Sequence, residues 1–255
     1  MRRREKFVLS AILLSLALLG TQYLPAEWRY LGIGLFFALT FVISAWSLAE
    51  DLQLHEWLTI VPFPAFYAAA VSLFYFLLPE LFLSRLLVLV LFGVGMYALL
   101  LTANIFSVAK GRTIQLLYAA HAVGLFFTML TSILLSNVIL SLRLPFYFNA
   151  ALVYAVHWPL VLMSLWSVEL QPRIGKEILL YSSLLSLVLA ELAAFFSFLP
   201  MQVWHKSLFI MSALYIALSV LHNFIKGRLF RNTINEYILV AVLMLVLFVL
   251  MFPLK

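Results

Sequence analysis

With 255 residues, 66% of them hydrophobic and 10% charged, and a mean hydropathy of +1.13, the chain lies far outside the composition of soluble globular domains. It is predicted to be an all-α, polytopic membrane protein. The absence of cysteine excludes disulfides, thiolate metal sites and cysteine nucleophiles. The net charge of +6 is scattered over span ends and loops with no clustered patch, which argues against a nucleic-acid partner and leaves membrane lipid as the expected surroundings.

Apolar runs of about 18 residues or more can cross a hydrocarbon layer as helices. Nine such spans are predicted, at 7–24, 31–48, 57–78, 86–108, 116–140, 146–170, 178–199, 208–224 and 237–252. The longest connection, 225–236, has 12 residues, so the chemistry is expected in or beside the bilayer. The start "MRRREKFVLSAILLSLALLG" has the basic flank and apolar centre of a secretion signal, but "TQYLPAEW" after it lacks two small residues at a cleavage spacing. The first run is therefore read as an uncleaved span.

Between spans two and three, "AEDLQLHE" gathers Glu50, Asp51, His55 and Glu56; oxygen and imidazole ligands could hold a divalent cation, but the spacing fits no metal motif. Pairing with neighbouring basic loops is the expectation, and no metal is assigned. Pro62 and Pro64 make the entry of span three irregular. Gly93, Gly95, Ala98 and Thr102 give span four a partly smooth face.

Span six carries His157 and Pro159 in "AVHWPLV", and span seven carries Glu191 as the one charge in "LVLAELAAFFSFL". A charged side chain near the bilayer centre costs a few kcal/mol, so Glu191 is expected to face protein or water. The two residues lie on consecutive antiparallel helices at depths that differ by roughly 5 Å at 1.5 Å per residue. Pro159 cannot donate to the carbonyl of Ala155, which frees an acceptor beside the imidazole and is expected to bend the helix. Glu191, His157 and Pro159 thus form the candidate polar or proton site; a satisfied buried pair that only fixes helix register is the alternative. Span six ends in Glu169, with Arg173 four residues on as a helix-end partner.

On span seven, Ser183, Ser186, Ala190, Ala194 and Ser197 recur at spacings of three and four, a stripe along which a second copy or another membrane helix could approach. A secondary cluster is expected where spans four, five and eight meet the inner interface: Asn104, His121, His222 and Asn223. Two histidines on separate helices could ligate a haem, but polar helix ends at an interface are the commoner arrangement, and no cofactor is expected. Span nine is apolar on every face, as lipid contact requires.

An internal repeat runs through these spans. "WSLAEDLQ" from Trp46 returns as "WSVELQ" from Trp166, "ILLS" at Ile12 returns at Ile133, and "FYFLLP" ending at Pro79 matches "FFSFLP" ending at Pro200. "TIQ" at Thr113 matches "TIN" at Thr233, and Lys110-Gly111-Arg112 matches Lys226-Gly227-Arg228. The offsets are 116 to 121 in unchanged order. The domain reading is one transmembrane domain built from repeat 1 at 1–115, repeat 2 at 116–235 and an added span at 236–255, with the four-span repeats parallel. Phe37 and Ala70 occupy the places of His157 and Glu191 in the first copy.

With the N-terminus inside, the inner loops hold Arg2, Arg3, Arg4, Lys6, Lys110, Arg112, Arg173, Lys176, Lys226, Arg228 and Arg231, against Arg29, Arg85, Arg143, Lys206 and Lys255 outside. That imbalance predicts a multi-pass protein of the cytoplasmic (inner) membrane, N-terminus inside and C-terminus outside.

The stretch "TANIFSVAKGRTIQLLYAAHAVGLFFTMLTSILLSNVI", 102–139, resembles an uncharacterised family of small polytopic bacterial membrane proteins with no assigned activity. The resemblance implies no site residue. Every lysine lies at a span end or in a loop, which excludes a retinal Schiff base, and the sequence carries no phosphate loop, paired intramembrane aspartates or His-Glu-x-x-His motif. Enzyme activity therefore has no positive support. The expected function is small-solute or proton-linked transport through the polar site between spans six and seven. The alternatives are a non-catalytic scaffold or assembly subunit, and a lipid-handling protein with an aromatic lateral groove.

Overall fold

A computed structural model describes residues 3–50, 52–53, 56–78, 82–108, 114–171 and 173–251. All regular structure among them is helical: α1 (Arg3–Thr21), a 3₁₀ turn (Ala26–Trp28), α2 (Arg29–Leu48), α3 (Glu56–Thr59), α4 (Pro62–Tyr75), α5 (Phe82–Val108), α6 (Ile114–Ser141), α7 (Phe146–Glu169), α8 (Lys176–Ser197), α9 (Val203–Ile225) and α10 (Arg231–Met251). The chain is thus an all-α polytopic membrane protein. Eight segments among the described residues are long and apolar enough to cross a membrane, with Glu56–Tyr75 counted as one. α1 stands apart because Arg3, Arg4, Glu5 and Lys6 fill its first four positions.

The helix boundaries follow from local chemistry. Pro62 stands at the start of α4, where a missing N–H costs nothing and φ is already helical, so α3 and α4 meet in a break. Pro145 precedes α7, and its carbonyl accepts from the N–H groups of Phe148 and Asn149. α9 ends at Ile225, and Gly227 two residues on, with a φ of +63°, lets the chain fold back so that the Arg228 N–H reaches the carbonyl of Asn223 at 2.9 Å.

The chain divides into two compact units, 1–127 and 128–255, and α6 contributes to both. In the first unit α2 packs on α4, α4 on α5 and α2 on α5, with α1 against α2 and α5. Its core holds Phe7, Leu14, Leu18, Met96 and Leu99, together with Tyr67, which stacks on Phe92 and meets the edge of Phe127. The foot of α1 is fixed by Glu50, which accepts from Arg3 at 3.0 Å and from Lys6; these two cations hold its carboxyl below the usual carboxylate range.

In the second unit α7 packs on α8, α8 on α9 and α7 on α9. Trp166, Leu160, Leu165, Leu189, Ile210 and Leu214 are sealed in its core. α10 packs on α9 and has no buried residue, in keeping with the lipid-facing span expected from its uniform apolarity.

Candidate functional site

The polar groups singled out in spans six and seven belong to α7 and α8, which form the most extensive helix pairing among those described. α7 runs unbroken through Pro159 and buries His157 completely. Both ring nitrogens are engaged. Nδ1 lies 2.8 Å from the carbonyl of Val153 and Nε2 lies 2.8 Å from Oγ of Ser132 on α6. A carbonyl only accepts, so Nδ1 carries the proton; in the neutral ring Nε2 then accepts from the Ser132 hydroxyl. The acceptor used is one turn back from His157, and Ala155 is not involved.

The expected partnership of His157 with Glu191 is therefore not formed. Similar depth sets the two residues level along the membrane normal, but rotation about the helix axis separates them. Glu191 is exposed, and no hydrogen bond or ion pair joins it to another described residue. Its neighbours on the same face are Leu184, Val188 and Phe195, about half-exposed, and Phe198 at 70%. A carboxylate thus stands on the open apolar surface of α8.

The small-residue stripe meets α7. Ser186 and Ala190 are buried, Ser183 meets the hydroxyl of Tyr154 at 2.8 Å, and Ser197 accepts from Nδ2 of Asn149 at 3.0 Å. Tyr154 and Asn149 are on α7, so within the chain this face packs on α7, with Ser183, Ala194 and Ser197 partly exposed. Small side chains let the two helices approach closely, and the hydroxyls supply cross-helix hydrogen bonds. Beside α8, a groove of about 390 Å³ between α8 and α9 is lined by Tyr181, Leu184, Val188, Ala217, Val220 and Leu221, all apolar in contact.

Sequence reading overlooked Ser132. The signal was present, because α6 and α7 join through a short turn: Ser132 is nine residues before the end of α6 and His157 eleven after the start of α7. That places Ser132 and His157 at similar depth on consecutive antiparallel helices. α6 also buries Thr131, Ser136 and Asn137, whose Oγ1, Oγ and Nδ2 atoms have no hydrogen-bond partner among the described residues.

The secondary cluster divides between the units. In the first, Asn104 is half-buried on α5, and His121 on α6 holds the carbonyl of Leu117 at 2.8 Å with its ring against Phe106. In the second, Nε2 of His222 donates to Ser164, whose carbonyl and hydroxyl both lie at 3.1 Å. Asn223 donates to the carbonyl of Ser219 and to the Tyr237 hydroxyl, linking α9 to α10. These contacts are those of helix packing.

In the segment 49–56, Asp51 and His55 lie outside the described residues. Glu50 pairs with the basic foot of α1, as expected for this loop. Glu56 does not: it is wholly buried, and its Oε2 accepts from the Gln53 N–H at 2.9 Å and from the Ser107 hydroxyl at 2.7 Å. No group of three or more metal-ligating side chains occurs among the described residues.

The His157 network makes a stability prediction. His157→Ala empties a buried site and strips Ser132 of its acceptor, so unfolding in detergent should become easier by about 3 kcal/mol. Ser132→Ala should cost about 1 kcal/mol. Equal denaturation midpoints for wild type and His157→Ala would show that the histidine is not the fastener described here.

Compared with family models, curated proteins and solved structures, the chain matches none.

Proposed function

We propose that this integral membrane protein serves as a non-catalytic subunit of a membrane assembly, attached through the exposed face of α8. One observation carries the reading: Glu191 stands among Leu184, Val188 and Phe195 on a surface that acyl chains would otherwise cover. Lipid tails neither donate nor accept hydrogen bonds, so a carboxyl there is expensive until protein covers it. A transport centre would be expected to turn this group inward.

The protein is multi-pass, and the reading places it in the cytoplasmic membrane with the N-terminus inside and the C-terminus outside, on the balance of Lys and Arg. It also takes the two units as products of a duplication. The pairings α2 on α4, α4 on α5 and α2 on α5 recur as α7 on α8, α8 on α9 and α7 on α9, which supports that view.

The test is the size of the native particle. Tagged protein at native expression, extracted in mild detergent, should migrate in a complex well above its own 29.1 kDa, and Glu191→Leu should release it from that complex. Identical migration of the two proteins would remove the proposal.

Small-solute or proton-linked transport stays as a second reading because of the unpartnered polar atoms of Thr131, Ser136 and Asn137 on α6, close in sequence to the Ser132 that holds His157. Buried polar groups without partners commonly host water or a polar solute. Purified protein in proteoliposomes with a pH-dependent flux lost on Asn137→Leu would favour this reading over assembly.

A further inference from the structure

We infer that the exposed seam of α8 receives a membrane-spanning helix of a different chain, one that carries a lysine or arginine at the depth of Glu191. This rests on the assembly reading and names the partner's chemistry.

The seam has the form of a helix-docking surface. Leu184, Val188, Glu191, Phe195 and Phe198 follow one another at spacings of four, three, four and three, and all five are exposed. That alternation keeps a stripe facing a neighbouring helix along several turns. Leu184 and Val188 also form one wall of the apolar groove between α8 and α9, so the docking surface continues sideways into a recess.

Depth rules out an escape to water. α8 has 22 residues, about 33 Å, and Glu191 is six residues from its end at Ser197, about 9 Å. Helical side chains lean toward the N-terminus, which turns this carboxyl away from the nearer end. Snorkelling therefore fails, and the group must find its partner inside the hydrocarbon.

Among the described residues, no helix of this chain carries a lysine or arginine as deep as Glu191. Arg29, Arg85, Lys176, Lys206 and Arg231 all fall within the first four residues of their helices, about 5 Å or less from the helix end, and Arg3, Arg4 and Lys6 stand at the foot of α1. A second copy in the same membrane has the same orientation, so its α8 would set Glu191 against Glu191, two like groups that disfavour each other's charged form. A basic group on a foreign helix offsets the carboxylate's charge, and the pairing relieves the insertion cost of both residues.

The inference is tested with the full-length protein reconstituted in phosphatidylcholine vesicles and labelled for energy transfer to synthetic leucine-rich transmembrane helices. These helices carry lysine, glutamine or leucine at the depth of Glu191. The lysine helix should associate about tenfold more tightly than the leucine helix, and Glu191→Leu should erase the difference. Because Glu191 is exposed, its replacement leaves the packing of α8 intact, which the unchanged helical circular dichroism will verify. Equal association of lysine and leucine helices overturns the inference, and so does a glutamine helix that binds as well as lysine. Association between copies of the protein that disappears in Glu191→Leu also overturns it, in favour of self-assembly. If the native complex depends on Glu191 while the lysine helix shows no preference, the assembly reading survives and the basic partner does not.

Discussion

Glu191→Leu makes membrane insertion of α8 more favourable, by about 2–3 kcal/mol, and leaves the thermal midpoint of the isolated protein unchanged or raised. The sign is the informative part. Removing one partner of a buried pair typically costs 3–5 kcal/mol, because the other group is stranded in a low dielectric. Glu191 strands nothing, since His157 is already satisfied by Ser132 and Val153. Glycosylation mapping of α8 between reporter domains reads the insertion term, and detergent melting of the full chain reads the folding term. A fall in melting temperature as large as that of His157→Ala would mean that Glu191 is held inside the protein after all. The carboxylate therefore burdens this chain by itself, and any advantage it confers must come from what covers it.

How far such a chain can be read in advance depends on which coordinate a pattern encodes. Hydropathy encodes position along the membrane normal, and the spans from α2 to α10 followed from it with boundaries set by Pro62, Pro145 and Gly227. α1 was harder, because its four leading charges share one helix with the apolar run that follows. Depth alone also brought Glu191 beside His157. Azimuth decides contact, and at about 100° per residue Glu191 and its neighbour Ala190 point to adjacent faces. Ala190 lies with Ser183, Ser186 and Ser197 on the face taken up by α7. The stripe and the carboxylate were both visible in the sequence; that the stripe would meet α7, leaving the carboxylate outside, depended on which helix packs where. Ala70, set against Glu191 by the 121-residue offset, is fully buried, so the exposed acidic face has no counterpart there in the first unit.

Burial of a loop carboxylate was the feature least accessible to pattern. Glu56 reads as one acid in a polar connection, yet it opens α3 with no exposed surface and ties that turn to the end of α5. The expected consequence is that Glu56→Ala lowers the stability of the first unit by about 3 kcal/mol. Three effects act together in that estimate. The N-terminus of α3 loses an acceptor for the Gln53 N–H, the Ser107 hydroxyl loses its oxygen at 2.7 Å, and a buried space opens where the side chain stood. Glu56→Gln keeps one carbonyl oxygen to accept and should cost about half as much. The link to α5 is isolated by a double-mutant cycle with Ser107→Ala, read as midpoints of detergent unfolding followed by the Trp57 environment. A coupling of about 1 kcal/mol or more is expected, since one partner is a carboxylate. Additive effects of the two substitutions would mean that the 2.7 Å contact does not hold α3 to α5, and that Glu56 supports the fold only through its own helix turn.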